Sequence, residues 1–241
     1  VQIVSLQSDQ LFDALQFAVG QFAEFSIENG INAKTLRLGG GTALATLWGH
    51  RYSTDLDLVV DRDVFTTHMP HECKATLTRH LKAHKQAFGL SKIGFRSHMV
   101  YLKHQGVPVS LVPSRLDLGE SAFSNIEIEG TGVRLARSEA ILRGKIVGRF
   151  LENNTMTDRD GYDIAYALTH YPSLVMDIFN TLEYEDRTTL LTHMKDAAGS
   201  IGKGRAIQDA SEPHIAQDPW TIAHELIRAQ LAHGSSLDIG R

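Results

Sequence analysis

Leu38-Gly39-Gly40-Gly41-Thr42-Ala43-Leu44, then His50-Arg51-Tyr52-Ser53-Thr54-Asp55-Leu56-Asp57-Leu58, is the stretch that decides how this chain folds. It reads as a strand ending in a glycine turn, one short helix, and a second strand carrying two aspartates. Side chains at i and i+2 of a strand share a face, so Asp55 and Asp57 form a pair of carboxylates aimed together. The glycines let the backbone approach an anion closely. A helix beginning near Thr42 offers it unpaired N–H groups and a positive dipole end. Either fragment alone is commonplace: glycine turns often precede helices, and an Asp-x-Asp is usually a solvated strand end. Here, however, the aspartates interrupt an apolar run of Leu56, Leu58, Val59 and Val60, where unpaired charge is costly to bury. Two like charges held together repel unless a cation lies between them. A phosphate cradle feeding a carboxylate pair is the equipment of metal-assisted phosphoryl or nucleotidyl transfer.

A second block lies downstream. Lys145 and Arg149, at i and i+4, share one helix face, as do Asp160 and Asp163 at i and i+3 within Arg159-Asp160-Gly161-Tyr162-Asp163. On the residues alone, the basic pair reads first as a solvated stripe. Thr157-x-x-Asp160 also reads as a helix start, with Asp160 placed to cap free N–H groups. Asp163, deeper in the helix and beside Ile164, is harder to explain as a cap.

Together the two blocks resemble the AbiEii-type nucleotidyltransferase toxins, a branch of the polymerase β-type nucleotidyltransferase superfamily. Gly-Gly-Thr-Ala-Leu with His-Arg-x-Ser-x-Asp-Leu-Asp-Leu matches the first signature. Lys145 with Arg-Asp-x-Tyr-Asp matches the second, and the resemblance spans about 36–168. It implies NMP transfer from an NTP, with Mg²⁺ on Asp55 and Asp57 and two ions expected once NTP is bound. Gly40, Gly41 and Thr42 would cradle the triphosphate. Arg51, Ser53, Lys145 and Arg149 would contact the nucleotide, and Asp163 would join Asp55, Asp57 and Lys145 in catalysis. The acceptor would be an RNA, such as a tRNA 3′ end, or a protein hydroxyl, and a cognate antitoxin would be the partner. Within the superfamily an aminoglycoside-type small-molecule acceptor is the alternative.

One departure stands out. Related enzymes place a third acid on a later strand, and the strand here, Val107-Pro108-Val109-Ser110-Leu111-Val112, has Ser110 at the inward polar position. A serine bonds a metal-bound water but supplies no charge. Either Asp160 or Asp163 substitutes for it, or the chain is a non-catalytic nucleotide-binding module.

Composition narrows the classes further. Twenty-four Lys and Arg against 28 Asp and Glu give a net charge of −4, which argues against a broad basic surface. A local basic groove between Arg134 and Arg149 is the exception. No segment is apolar for long enough to span a bilayer, no export signal is evident, and the single Cys73 fits a reducing cytoplasm. His68-x-x-His71 and His80-x-x-x-His84 have metal-like spacing but no third ligand beside them, and read as surface residues.

Periodicity predicts an α/β (α+β) fold, with a mixed sheet and helices followed by a helical C-terminal half. The boundaries are 1–136 and 137–241. Helices are expected at Asp9–Glu28, Thr42–Trp48 and Cys73–Ala87, and beyond an N-cap at Ser138 through Phe150. Further helices are expected at Arg159–Thr169, Leu174–Leu182, Glu185–Ala197 and Thr221–His233. Strands are expected at Thr35–Leu38, Leu56–Val60, Ser91–Lys103 and Val107–Val112, with a hairpin at Ile126–Leu135. The glycine- and proline-marked stretch Gly199–Pro219 reads as a mobile loop.

Overall fold

The computed structural model describes residues 1–114, 123–153, 155, 157–198 and 207–237. The chain divides into two compact units, residues 1–48 with 53–137, and residues 49–52 with 138–241.

The first unit is built on an eight-stranded mixed sheet. In chain order its elements are β1 (Gln2–Val4), α1 (Asp9–Phe25), β2 (Arg37–Gly39), α2 (Gly40–Trp48), β3 (Leu56–Val60), α3 (Arg62–His68) and α4 (His71–Ala83). They continue with β4 (Leu90–Arg96), β5 (Met99–His104), β6 (Val107–Pro113), β7 (Phe123–Ile128) and β8 (Arg134–Ala136). The strand order is β1-β7-β8-β2-β3-β6-β5-β4. β3 runs parallel to β6 and antiparallel to β2, and β4, β5 and β6 form an antiparallel meander.

Alternation explains how the sheet is covered. Leu56, Leu58 and Val60 of β3, Val109 and Leu111 of β6, and Val100 and Leu102 of β5 are buried. Phe17 of α1 stacks on His104 of β5 with ring centroids 4.3 Å apart, so this is the face that α1 covers. The residues between them, Asp57, Ser110 and Tyr101, therefore project from the opposite face. Ser8 caps α1 by accepting from the Leu11 N–H, as a serine before an amphipathic helix should.

The expected long strand Ser91–Lys103 is instead the hairpin β4–β5. Its polar, exposed Ser97-His98 makes a two-residue turn between the paired Arg96 and Met99. The hairpin at Ile126–Leu135 turns at Gly130 and Gly132, both with positive φ.

The second unit is helical: α5 (Ser138–Arg143), a π-helical segment (Gly144–Leu151), α6 (Asp158–His170), α7 (Pro172–Asn180), α8 (Tyr184–Ala198), α9 (Pro213–Gln217) and α10 (Pro219–Leu237). Ser138 is the first helical residue rather than the cap, and the helix widens to π geometry at Gly144. Trp220 is its largest fully buried side chain and meets Phe150 edge-on at 4.9 Å. Gly161 of α6 faces Trp220: a Cβ there would stand 2.7 Å from the indole. The absent side chain is what lets α6 and α10 close together.

Of the expected loop Gly199–Pro219, residues 199–206 lie outside the described residues. The remainder is anchored, with Gln208 O accepting from Tyr52 N at 2.9 Å and Ser211 N donating to His50 O at 2.8 Å. Tyr162 Oη also donates to His50 O, at 2.9 Å. These bonds assign Gly49–Tyr52 to the helical unit although it lies between α2 and β3 in the chain.

Candidate active site

In the first unit β2 passes directly into α2. Gly39 ends the strand and Gly40 opens the helix at φ +62°, in the left-handed region that costs glycine least. A Cβ on Gly40 would stand 2.1 Å from Asp57 Oδ2, so the Asp57 carboxylate lies directly against the helix start. The register makes this inevitable: Gly39 pairs with Asp57 on β3, and Asp57 pairs with Ser110 on β6. Ser110 Oγ donates to Asp57 Oδ1 at 2.8 Å.

A chain of hydroxyls holds the other carboxylate. Thr42, buried on α2, gives its proton to the Asp55 carbonyl. The buried Ser53 hydroxyl is then left to donate to Thr42 Oγ1 at 2.8 Å or to Asp55 Oδ1 at 3.4 Å. Ser53 N donates to Gln7 Oε1 at 3.0 Å, which fixes the approach to β3. Among the described residues no Lys or Arg nitrogen lies within 4.0 Å of Asp57. Hard oxygen donors beside a glycine helix start, with no Lys or Arg on Asp57 among the described residues, suit a divalent cation and a phosphate.

The second unit gathers the remaining predicted residues into one buried ionic cluster. Asp163 is fully buried. Arg51 grips it with both arms, Nε to Oδ1 at 2.6 Å and Nη2 to Oδ2 at 2.9 Å. His50 Nε2 donates to Oδ1 at 2.7 Å, and Lys145 Nζ lies 3.1 Å from Oδ2. Lys145 also bonds Asp160 Oδ1, while Arg149 Nη1 reaches Asp160 Oδ2 at 2.9 Å. Thr157 caps α6 by accepting from Asp160 N at 3.2 Å, and its hydroxyl donates to Asp160 Oδ2 at 2.7 Å. The cap is therefore Thr157, and the Asp160 side chain turns back to the cations.

The electrostatics follow. Burial alone would raise the Asp163 pKa, but Lys145 and Arg51 outweigh it and hold the carboxyl well below the usual range. Asp160 is lowered too: burial again opposes, and the charges of Lys145 and Arg149 prevail. His50 is pushed down by burial against the pull of Asp163, so it is neutral at pH 7 and donates from Nε2.

The predicted residues thus fall into two groups. Gly40, Gly41, Thr42, Ser53, Asp55, Asp57 and Ser110 belong to the sheet unit, and Arg51, Lys145, Arg149, Asp160 and Asp163 to the helical one. The Arg51 guanidinium is committed to Asp163 and, through Nη1, to Tyr52 O at 3.2 Å. The Lys145 side chain is 7% exposed, whereas that of Arg149 is 48% exposed. The roles of His50 as a carboxylate partner and of Gly161 as the seat of Trp220 emerge only in the folded chain. No local pattern announces either one, because both partners come from distant segments.

Residues 25–232 match the family described as nucleotidyl transferase AbiEii toxins of type IV toxin–antitoxin systems. The chain belongs to the AbiEii family. Comparison with curated proteins gives no match. Among solved structures, an H. pylori protein provisionally described as a nucleotidyltransferase superposes with a TM-score of 0.50 and 19% identity. The match covers 98% of this chain and all of that one, and it supports the nucleotidyltransferase fold. The aminoglycoside enzyme ANT(2")-Ia, solved with adenylyl-2"-tobramycin, reaches a TM-score of 0.36 at 14% identity, covering 79% of this chain and all of that one. A likeness that slight carries no argument about substrate. No described helix is long and apolar enough to cross a membrane.

Proposed function

We propose that this AbiEii-family chain transfers a nucleoside monophosphate from an NTP to a hydroxyl acceptor, an RNA 3′ end or a protein side chain, and releases pyrophosphate. The observation that carries the reading is the Asp57 carboxylate, braced by Ser110 against the glycine start of α2. The backbone at Gly40, Gly41 and Thr42 binds the triphosphate through free N–H groups at the helix start, and the dipole adds to the attraction. Ser53 orients Asp55. Mg²⁺ held by Asp55 and Asp57, two ions with NTP bound, would neutralise the triphosphate and polarise the acceptor oxygen. That oxygen attacks the α-phosphorus, the bond to the bridging oxygen breaks, and pyrophosphate departs. The acceptor's proton passes to water, since Ser110 is no base at neutral pH.

Asp163 acts in this reading as a positioning residue for Arg51 and Lys145. The assignment of Lys145 and Arg149 to the nucleotide rests on the family resemblance. The family is one of toxin–antitoxin systems, so a cognate antitoxin is the expected partner and the cytoplasm the expected compartment.

Ser110 also supports a second reading, a non-catalytic nucleotide-binding module. Incubating the protein with α-labelled NTP, Mg²⁺, total RNA and total protein separates the two. Label is expected on RNA or on protein, and not with Asp57→Asn. Label retained by the chain without transfer would overturn the enzyme reading in favour of the binding module.

A further inference from the structure

Charge is distributed very unevenly in this chain. Residues 64–114 carry seven Lys or Arg and one acid, Glu72, a balance of +6 within a protein of net charge −4. Of these cations only Lys74 is turned inward, its Nζ donating to Ser97 O at 2.8 Å. Lys82 and Lys85 at the end of α4 and Lys92 on β4 are exposed, and none of them pairs with a carboxylate among the described residues. They converge on an open groove of about 320 Å³ at the β4 edge of the sheet, lined by Lys82, Lys85, Ser91, Lys92, Ile93 and Tyr101.

Tyr101 ties the groove to the carboxylate. The registers define one row across the sheet, Asp57 to Ser110, Ser110 to Tyr101, and Tyr101 to Gly94. Residues paired across neighbouring strands point to one face, so Asp57, Ser110 and Tyr101 share the side opposite α1. A Cβ on Gly94 would lie 2.3 Å from Tyr101 Oη, so the hydroxyl end of the tyrosine ring reaches over β4 where that glycine leaves room. The residue is 36% exposed, an aromatic surface open to solvent beside three lysines. From Asp57 to the β4 edge is three strand spacings, or roughly 15 Å.

The geometry points to a single-stranded RNA docking site, in which a base stacks on Tyr101 and flanking phosphates meet Lys82, Lys85 and Lys92. Charge complementarity selects the polyanion. The aromatic platform selects unpaired bases over a duplex or an acidic protein segment. The inference rests on the transferase reading for the RNA's purpose, namely delivery of a 3′ hydroxyl along the row toward Asp57. The binding itself needs neither NTP nor turnover.

The test is fluorescence anisotropy of the full chain with a labelled single-stranded RNA of about twelve nucleotides across a salt series. Wild type is expected to bind with a steep salt dependence. Reversing the three lysines (K82E, K85E and K92E together) should lower the slope of log K against log salt by about 2, at about 0.7 per lost phosphate contact. Tyr101→Ala should weaken binding at least about fivefold, and Tyr101→Phe, which keeps the ring, less than about twofold. Circular dichroism and Mg²⁺–NTP calorimetry on the same variants verify that fold and nucleotide site are intact. Wild-type slope and affinity in the triple variant would overturn the groove, as would a wild-type chain that binds a poly-aspartate peptide or duplex RNA in preference to the single strand. Groove-dependent binding without label transfer would overturn the transferase reading alone. Transfer to RNA that is indifferent to the groove variants would overturn the groove alone.

Discussion

Asp55 with Asp57 and Asp160 with Asp163 are each spaced in the sequence to share one face, and the structure treats the two pairs in opposite ways. Asp160 and Asp163 are buried: Lys145, Arg149 and Arg51 bring opposing charge to them, and neutral His50 adds a hydrogen bond to Asp163. Asp57 receives a hydroxyl from Ser110 beside the glycine start of α2, Ser53 Oγ lies 3.4 Å from Asp55 Oδ1, and both carboxylates are half-exposed. A carboxylate neutralised by the protein's own cations is part of the framework. Asp57 meets no Lys or Arg nitrogen within 4.0 Å among the described residues, which suits it to an outside cation. The proposed function accordingly puts the chemistry at Asp57 and gives Asp163 the positioning of Arg51 and Lys145.

Variants break or sharpen this contrast, and the largest effect belongs to the framework. Asp163→Asn leaves Arg51 and Lys145 facing a neutral amide in a buried site. It should cost roughly 3–5 kcal/mol in denaturant unfolding, the usual penalty for breaking a buried ion pair. Asp57→Asn should reverse the pattern, with transfer falling at least about a hundredfold and stability staying within about 0.5 kcal/mol of wild type.

Gly40→Ala comes next. It forces a Cβ toward Asp57 Oδ2 at positive φ, and should lose roughly 1–3 kcal/mol together with NTP affinity, read by calorimetry. Ser110→Ala removes a single hydrogen bond to Asp57 and should cost about 1 kcal/mol or less, with a modest loss of transfer. Ser110→Asp would restore the absent third acid and should raise transfer above that of Ser110→Ala.

Acid should also distinguish the pairs. Asp160 and Asp163 ionise below their ordinary value when folded, so their stabilisation is complete above about pH 4 and fades as pH falls through the folded values. His50, kept neutral by burial, acts in the same sense at higher pH: the unfolded chain takes up its proton first, and stability declines as pH drops below about 6.5. An unfolding series from pH 8 to pH 3 should show both limbs in wild type and a shallower lower limb in Asp163→Asn, where of the two only Asp160 remains to contribute it.

Much of the fold is legible because the periods are clean. Leu56–Val60 is the strand its alternation announces, and α1 and α6 begin where Ser8 and Thr157 cap them. The β4–β5 hairpin was hidden because a two-residue Ser97-His98 turn contains no glycine or proline. The two-unit membership of the segment before β3 was hidden too: Gly49–Tyr52 is held by Tyr162, Gln208 and Ser211, more than a hundred residues away. At the site, Asp-x-Asp and the glycines carry their meaning in spacing, which a sequence displays. Whether an aspartate finds an arginine depends on long-range contacts, which spacing does not encode. The basic edge around Tyr101 was legible as a charge imbalance over 64–114, and the whole-chain charge of −4 masked it.

In the proposed function Asp57, which meets no Lys or Arg nitrogen within 4.0 Å among the described residues, holds a divalent cation together with Asp55. Titration of Mn²⁺ into the folded protein, followed by electron paramagnetic resonance of the free ion, tests it without any need for turnover. Wild type should bind Mn²⁺, and Asp57→Asn should bind it at least about tenfold more weakly while remaining folded. Equal Mn²⁺ affinity in wild type and Asp57→Asn would rule out a cation site on this carboxylate.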